Sequence, residues 1–375
     1  MPMNGDLSVY IHVPFCTKKC PYCHFYSVAN KEKLIDRFVS ALQKEIGLWH
    51  TVLSKRKIVS VYFGGGTPFL LGPKRLEPIL RLFSVDASTE ITIEANPETT
   101  SAPLLKAYRS LGINRLSIGA QSFSNELLKT LRRAHTADQT KKAVDDAVRA
   151  GWTNISLDLM YDIPGMDEET WQRSLEEACS LPIHHLSLYN LVIEANTAWF
   201  RKKEELERSM PQEASSVRMI QTAWQVSREH SFEQYEISAF AKHGFCSRHN
   251  TGYWQGREFL GFGPSAFSFF GNARFSNVPN IAAYAAAVET GKSPVATREE
   301  MGPQQRLREM AAIGLRMNSG ISLPALERRW GPSDAALPTT LRNLEGLGLL
   351  ERRDESFCLT DRGRLLYDTV AVEVI

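Results

Sequence analysis

The stretch Tyr10-Ile-His-Val-Pro-Phe-Cys16-Thr-Lys-Lys-Cys20-Pro-Tyr-Cys23-His-Phe-Tyr26 runs from an apolar strand into three cysteines set four and then three residues apart. Positions i, i+4 and i+7 would share one face of an amphipathic helix, which is the plainest reading of the spacing. Pro14 and Pro21 oppose it, because proline lacks a backbone donor and disfavours a helical residue before it. The segment therefore reads as a loop on which three thiolates converge. Thiolates hold zinc or iron–sulfur clusters, and a structural zinc site wants a fourth ligand close by. Position 25 is Phe25, and the next cysteine is Cys179. Three thiolates on a four-iron cube leave one iron open, and the amino and carboxylate ends of S-adenosylmethionine suit it. A zinc site and buried structural cysteines are the alternatives. Lys18 and Lys19 would favour the thiolates electrostatically.

Outward from this loop, short apolar runs alternate with helix-period segments. Strands are predicted over 7–13, 58–63, 90–94, 115–119, 154–159 and 185–191; helices follow over 33–49, 73–82, 102–111, onward through 150, and over 168–179. Six strand–helix units imply an α/β fold with a parallel sheet. They are too few for a closed eight-stranded barrel, so an open, partial barrel is expected, with reactive groups at the carboxyl ends of its strands.

Polar residues fall at those ends. Gly64-Gly65-Gly66-Thr67-Pro68 closes the second strand, Glu94 the third and Gln121 the fourth; Arg133 follows in a helical stretch, and Asp158 closes the fifth. Each has an ordinary explanation, a tight turn for the glycines and a solvated strand end for the rest. Their recurrence at successive strand ends is harder to dismiss. Asp162, in Asp-Ile-Pro-Gly, reads as a turn residue.

Cys-x3-Cys-x2-Cys after a first strand, with an aromatic before the last cysteine, resembles the radical S-adenosylmethionine superfamily. The surrounding Tyr-Ile-His-Val-Pro-Phe-Cys narrows the resemblance to the group of the oxygen-independent coproporphyrinogen dehydrogenases and their relatives, the haem chaperones. The resemblance implies a partial (β/α)6 barrel and a [4Fe-4S] cluster on Cys16, Cys20 and Cys23. It places Gly65, Gly66 and Thr67 against the amino group of S-adenosylmethionine. It assigns Glu94, Gln121, Arg133 and Asp158 to the ribose and carboxylate, with Tyr10 and Tyr22 nearby. Arg133 would pair the carboxylate in bidentate fashion.

Past residue 196 the alternation stops. Charged helices are expected over 197–208 and 212–230, a strand over 232–240, and a glycine-punctuated loop over 261–268. Between them lies His249-Asn250-x-x-Tyr253-Trp254. On its residues alone this is a histidine beside large aromatics, more often hydrogen-bonded structure than ligand. Aromatic walls and an imidazole would also hold a porphyrin and ligate its iron. The motif resembles one associated with haem in the chaperones, which implies haem contacts for His249, Asn250, Tyr253 and Trp254. From 301 the chain reads as a small winged-helix-like domain. The expected units are thus 1–195 (the barrel), 196–300 (an extension carrying the haem motif) and 301–375.

The 375 residues are 43% hydrophobic and carry a net charge of +2, which gives no support for an extended nucleic-acid surface. The C-terminal unit interleaves Glu327, Glu345, Glu351 and Asp354 with its arginines, and its third helix offers only Arg342. No run of eighteen apolar residues and no apolar leader is found, and six unevenly spaced cysteines are not a disulfide framework; a cytoplasmic protein without a transmembrane segment is expected. Three functions compete. The first is a haem chaperone that passes haem to acceptor proteins, membrane-associated respiratory proteins among them. The second is coproporphyrinogen III dehydrogenase, an oxidative decarboxylase. The third is a regulator acting through the C-terminal unit. Against the second stand Phe25, where the dehydrogenases have an additional cysteine, and a first strand that begins within ten residues of Met1. The third lacks a basic recognition helix.

Overall fold

The computed structural model describes residues 5–29 and 31–375; the opening Met1–Asn4 of the leader reading lies outside them. Six strands pair in parallel and in chain order: β1 (Asp6–Val13), β2 (Lys57–Gly65), β3 (Glu90–Ala95), β4 (Arg115–Gln121), β5 (Ile155–Tyr161) and β6 (His185–Asn190). Strand side chains alternate in direction. One set, including Leu7, Ile11, Phe63, Ile93, Leu116 and Leu157, is buried in the main hydrophobic core. The alternate set is polar and faces the barrel interior. Ser8 and Ser60 are hydrogen-bonded there at 2.9 Å, and Ser156 meets His185 Nδ1 at 2.8 Å. Tyr10 pairs in register with Tyr62, Glu94 with Ser117, and Asp158 with Ser187, so these side chains share one layer.

Beyond β1 the sheet continues through four further strands, Phe259–Phe262, Phe267–Phe270, Ala273–Asn277 and Val295–Glu300, and two more beyond β6 bring the open sheet to twelve. The loop expected over 261–268 is a turn at 263–266 between two of these strands. Gly261, Gly263 and Pro264 hid the strands that flank this turn. Gly261 pairs with Tyr10, and a Cβ there would lie 2.0 Å from Phe267 O, so glycine is required by close strand approach. The single strand expected over 232–240 is a tight hairpin, Glu233–Glu236 against Ala239–Ala241, on the far edge beside β6. The helix expected over 197–208 is a 3-10 turn, Trp199–Lys202, followed by the short helix Lys203–Glu207.

Helices Pro303–Gly314, Leu323–Trp330 and Ala336–Gly346 and a three-stranded sheet form the winged-helix-like C-terminal module. Its hairpin turns at Asp354, whose φ is +53°. The module has its own hydrophobic cluster, which takes in Phe269 from the added strands and so docks the module on the sheet. Arg316 lies 4.3 Å over the Trp254 ring and ties the module to the histidine motif. Among the described residues no helix is long and apolar enough to cross a membrane.

Candidate functional site

The cysteine loop is not helical. Gly66 N donates to Val13 O at 2.8 Å and Thr67 N to Phe15 O at 2.7 Å, which pins the loop to the end of β2. A Cβ on Gly66 would come within 2.6 Å of Phe15 O, and Gly65 holds φ +108°, so both glycines serve this close approach as well as any ligand. Cys23 N donates to Cys20 O at 3.2 Å, closing a turn.

The three cysteines line one cavity of about 370 Å³, together with Tyr22, Gly65, Gly66, Thr67, Glu94, Gln121, Arg133 and Asp158. Tyr10 is the exception among the residues expected at S-adenosylmethionine. It lines a neighbouring cavity, with its hydroxyl 3.1 Å from His12 Nδ1. Among the described residues no three His, Cys, Asp or Glu side chains are grouped as a single metal ion requires. A four-iron cube, which keeps its thiolates well apart, makes no such demand. Burial holds the Cys16 and Cys23 thiols above their ordinary pKa. It outweighs the lysines: Lys19 contributes little, and its ammonium instead donates to Phe25 O at 3.3 Å. Metal binding would supply the missing drive to the thiolate. The nearest donors to sulfur are Thr67 Oγ1, 3.8 Å from Cys16 Sγ, and Arg133 Nη1, 3.6 Å from Cys20 Sγ.

Arg133 carries the clearest ligand signal. Its Nη2 donates to Asn96 Oδ1 at 2.7 Å and to Gly119 O at 3.0 Å, while its buried Nε has no partner. Arg133 lines the cavity, so its guanidinium is the cation that a carboxylate bound there would meet. Glu94 accepts from Tyr62 OH at 2.8 Å and from Gly65 N at 3.1 Å. Burial, then the charge of Asp158, pushes its pKa up to about 7. Ser117 Oγ donates to Asp158 at 3.2 Å. Gln121 has φ +65° where β4 breaks register with β5, a strained backbone of the kind found at functional sites. Asp162 keeps its turn role, with φ +59° and hydrogen bonds from Asn190 and Ser216.

The second cavity, about 620 Å³, is lined by Tyr10, Tyr62, Tyr253, Trp254, Phe259 and Phe267 and shares Gly65, Glu94, Tyr189, His24 and Phe25 with the first. His249, Asn250, Tyr253 and Trp254 all line it from one short helix, Arg248–Trp254, which Ser247 caps. His249 is 1% exposed, and both ring nitrogens are engaged: Nδ1 with Ser60 Oγ at 3.0 Å and Nε2 with Tyr253 OH at 2.7 Å. Burial, then the charges of Arg257 and Arg115, holds its pKa down to about 3, so the ring is neutral. To reach an iron it would have to give up Tyr253. The geometry is that of a hydrogen-bonded wall residue.

Sequence reasoning passed over Asn96, which joins Arg133 to Thr67, and Glu90. The Glu90 carboxylate accepts the backbone N–H groups of Arg248 and His249, both at 2.9 Å, at the start of the motif helix. It also offsets the buried charge of Arg115. Glu90→Ala is expected to lower the unfolding free energy by about 3 kcal/mol, since it strands a buried cation and two helix donors. A urea midpoint equal to that of the parent would contradict this role.

Comparison with known proteins accords with this geometry. Residues 10–178 match the family model of the radical SAM superfamily, and residues 302–366 that of the HemN C-terminal domain. The chain is 31% identical over 370 residues to the heme chaperone HemW of Bacillus subtilis (strain 168), covering 97% of each chain. It is 33% identical over 377 residues to the heme chaperone HemW of Mycobacterium tuberculosis (strain ATCC 25618 / H37Rv), covering 98% of this chain and 95% of that one. Coproporphyrinogen III oxidase (HemN) from Escherichia coli shares the fold, with a TM-score of 0.87 at 21% identity over 100% of this chain and 91% of that one. Given identity above 30% over nearly its whole length, the chain belongs to the heme chaperone HemW family of the radical SAM superfamily.

Proposed function

We propose that this protein binds haem in its aromatic cavity and hands it to acceptor proteins, membrane-associated respiratory proteins among them, with a [4Fe-4S] cluster and S-adenosylmethionine in the adjoining cavity. The observation that carries this reading is the shared wall. Two cavities, one lined by three cysteines and one by aromatic rings, meet at Gly65, Glu94, Tyr189, His24 and Phe25. Flat aromatic surfaces suit a tetrapyrrole.

Cys16, Cys20 and Cys23 would hold the cluster, which with S-adenosylmethionine supplies one-electron reductive chemistry. Arg133 would pair the carboxylate of S-adenosylmethionine, with Asn96 and Gly119 O fixing the guanidinium. Gly65, Gly66 and Thr67 would meet its amino group, and Glu94, Gln121 and Asp158 its ribose. Tyr22, whose ring is 5.7 Å from Trp199, closes the side of the pocket. Tyr253 and Trp254 form the wall against haem, and His249 keeps Tyr253 in place.

The sulfonium of S-adenosylmethionine is cationic, so it prefers ionised Glu94. With a pKa of about 7 in the free protein, affinity should rise with pH up to that value and level off above it. Glu94→Gln should weaken binding and flatten most of the slope. Calorimetric titrations between pH 6 and 8 that show the same slope in the variant would contradict this.

The competing reading is the decarboxylase. It is tested by an anaerobic coproporphyrinogen III assay with S-adenosylmethionine and a reductant, on protein whose iron content has been checked. No product is expected, because Phe25 stands where the dehydrogenases carry a further cysteine. Protoporphyrinogen formed over many turnovers would make this chain an enzyme of porphyrin synthesis.

A further inference from the structure

We propose that His24, rather than His249, presents the imidazole that meets the iron of haem in the aromatic cavity. This rests on the haem reading above and names the residue that would carry it out. An imidazole ligates iron through a ring nitrogen whose lone pair is free and reachable. The chain has nine histidines, and three of them, His12, His24 and His249, line the cavity.

Two of the three are already committed. His12 is 4% exposed, with Nδ1 3.1 Å from Tyr10 OH and Nε2 2.8 Å from Tyr26 O. His249 is more deeply buried, with both nitrogens on hydroxyls. His24 is exposed, and among the described residues no hydrogen-bond partner meets its ring. It borders both cavities.

Its neighbour gives the second observation. The Phe25 ring lies 4.4 Å from that of His24, tilted by 33°, and 52% of Phe25 is exposed. Of the large apolar residues left exposed, Phe25 and Phe267 both line this cavity. Apolar rings at a cavity mouth suit a flat apolar ligand that would cover them. The His24 imidazole and these two rings line the same cavity, which a haem would enter. Ligation by His24 would break no hydrogen bond of the wall and would need only its exposed ring to turn across the porphyrin, whereas ligation by His249 would break the bond to Tyr253.

The test is titration of full-length, cluster-replete protein with haemin, read as difference absorption spectra against cluster-only protein and as ferric EPR. The parent should give the spectrum of an imidazole-ligated haem. His24→Ala should lose that signature and bind haem about tenfold or more weakly, and added imidazole should restore the signature. Its iron content and S-adenosylmethionine affinity should stay parental, which separates loss of a ligand from damage at the adjacent Cys23. His249→Ala should keep the imidazole-type spectrum even where its affinity falls. A parental spectrum in His24→Ala would overturn the inference, as would a change seen only together with loss of cluster iron. A parent protein that takes up no haem refutes the haem reading itself, and this inference with it.

Discussion

Replacing Cys16, Cys20 or Cys23 with alanine is expected to leave the first cavity without iron. Anaerobically reconstituted parent protein should carry about four irons per chain with broad visible absorption, and each alanine variant should fall near zero. The effect is all or none because a cube on three thiolates has no protein ligand to spare, and the other three cysteines lie elsewhere: Cys179 and Cys358 are buried, and Cys246 lies beyond β6. The fold should survive. The loop is held by backbone hydrogen bonds from Gly66 and Thr67 and by the short Phe15–Cys16 pairing with Val28–Ala29, none of which uses a thiol. Far-ultraviolet circular dichroism should therefore be unchanged. Full iron content in all three variants would remove the cluster from this site.

Arg133→Met should lower S-adenosylmethionine affinity about a hundredfold. Two charge-assisted hydrogen bonds to a carboxylate are each worth about 1.5–3 kcal/mol, and even the lower values give that loss. Methionine keeps much of the volume and stays apolar against the loop. Arg133→Lys should recover only part of the binding, because an ammonium cannot hold Asn96 Oδ1 and Gly119 O while also meeting both carboxylate oxygens. Cluster iron should persist in both variants, since Arg133, 3.6 Å from Cys20 Sγ, would neighbour the proposed cluster without ligating it. Unchanged affinity by equilibrium dialysis would remove Arg133 from the carboxylate of S-adenosylmethionine.

The barrel was legible because its signals are local. Six alternating strands, prolines that break the cysteine spacing, and polar residues at strand ends each belong to one short segment. The added strands next to β1 were not legible. Gly261 and Gly263 look like a loop until it is known that another backbone lies against them. The motif at 249–254 was visible as a cluster of rings, but whether His249 was free depended on Ser60, nearly two hundred residues earlier in the chain. Glu90 was hidden for the same reason: an acid at the start of β3 looks solvated until it caps a helix that begins at Arg248. His24 drew no notice between Cys23 and Phe25, since what marks it is the lack of a partner, which only the packed structure displays.

The most direct measurement is titration of the cluster-replete protein with haem, followed by mixing the complex with a haem-free acceptor such as apomyoglobin. The expected result is saturation near one haem per chain, a Soret band distinct from free haem, and transfer to the acceptor faster than from free haem aggregates. Haem uptake no stronger than that of an unrelated protein, with the iron content intact, would contradict a haem chaperone and leave the aromatic cavity without its proposed ligand.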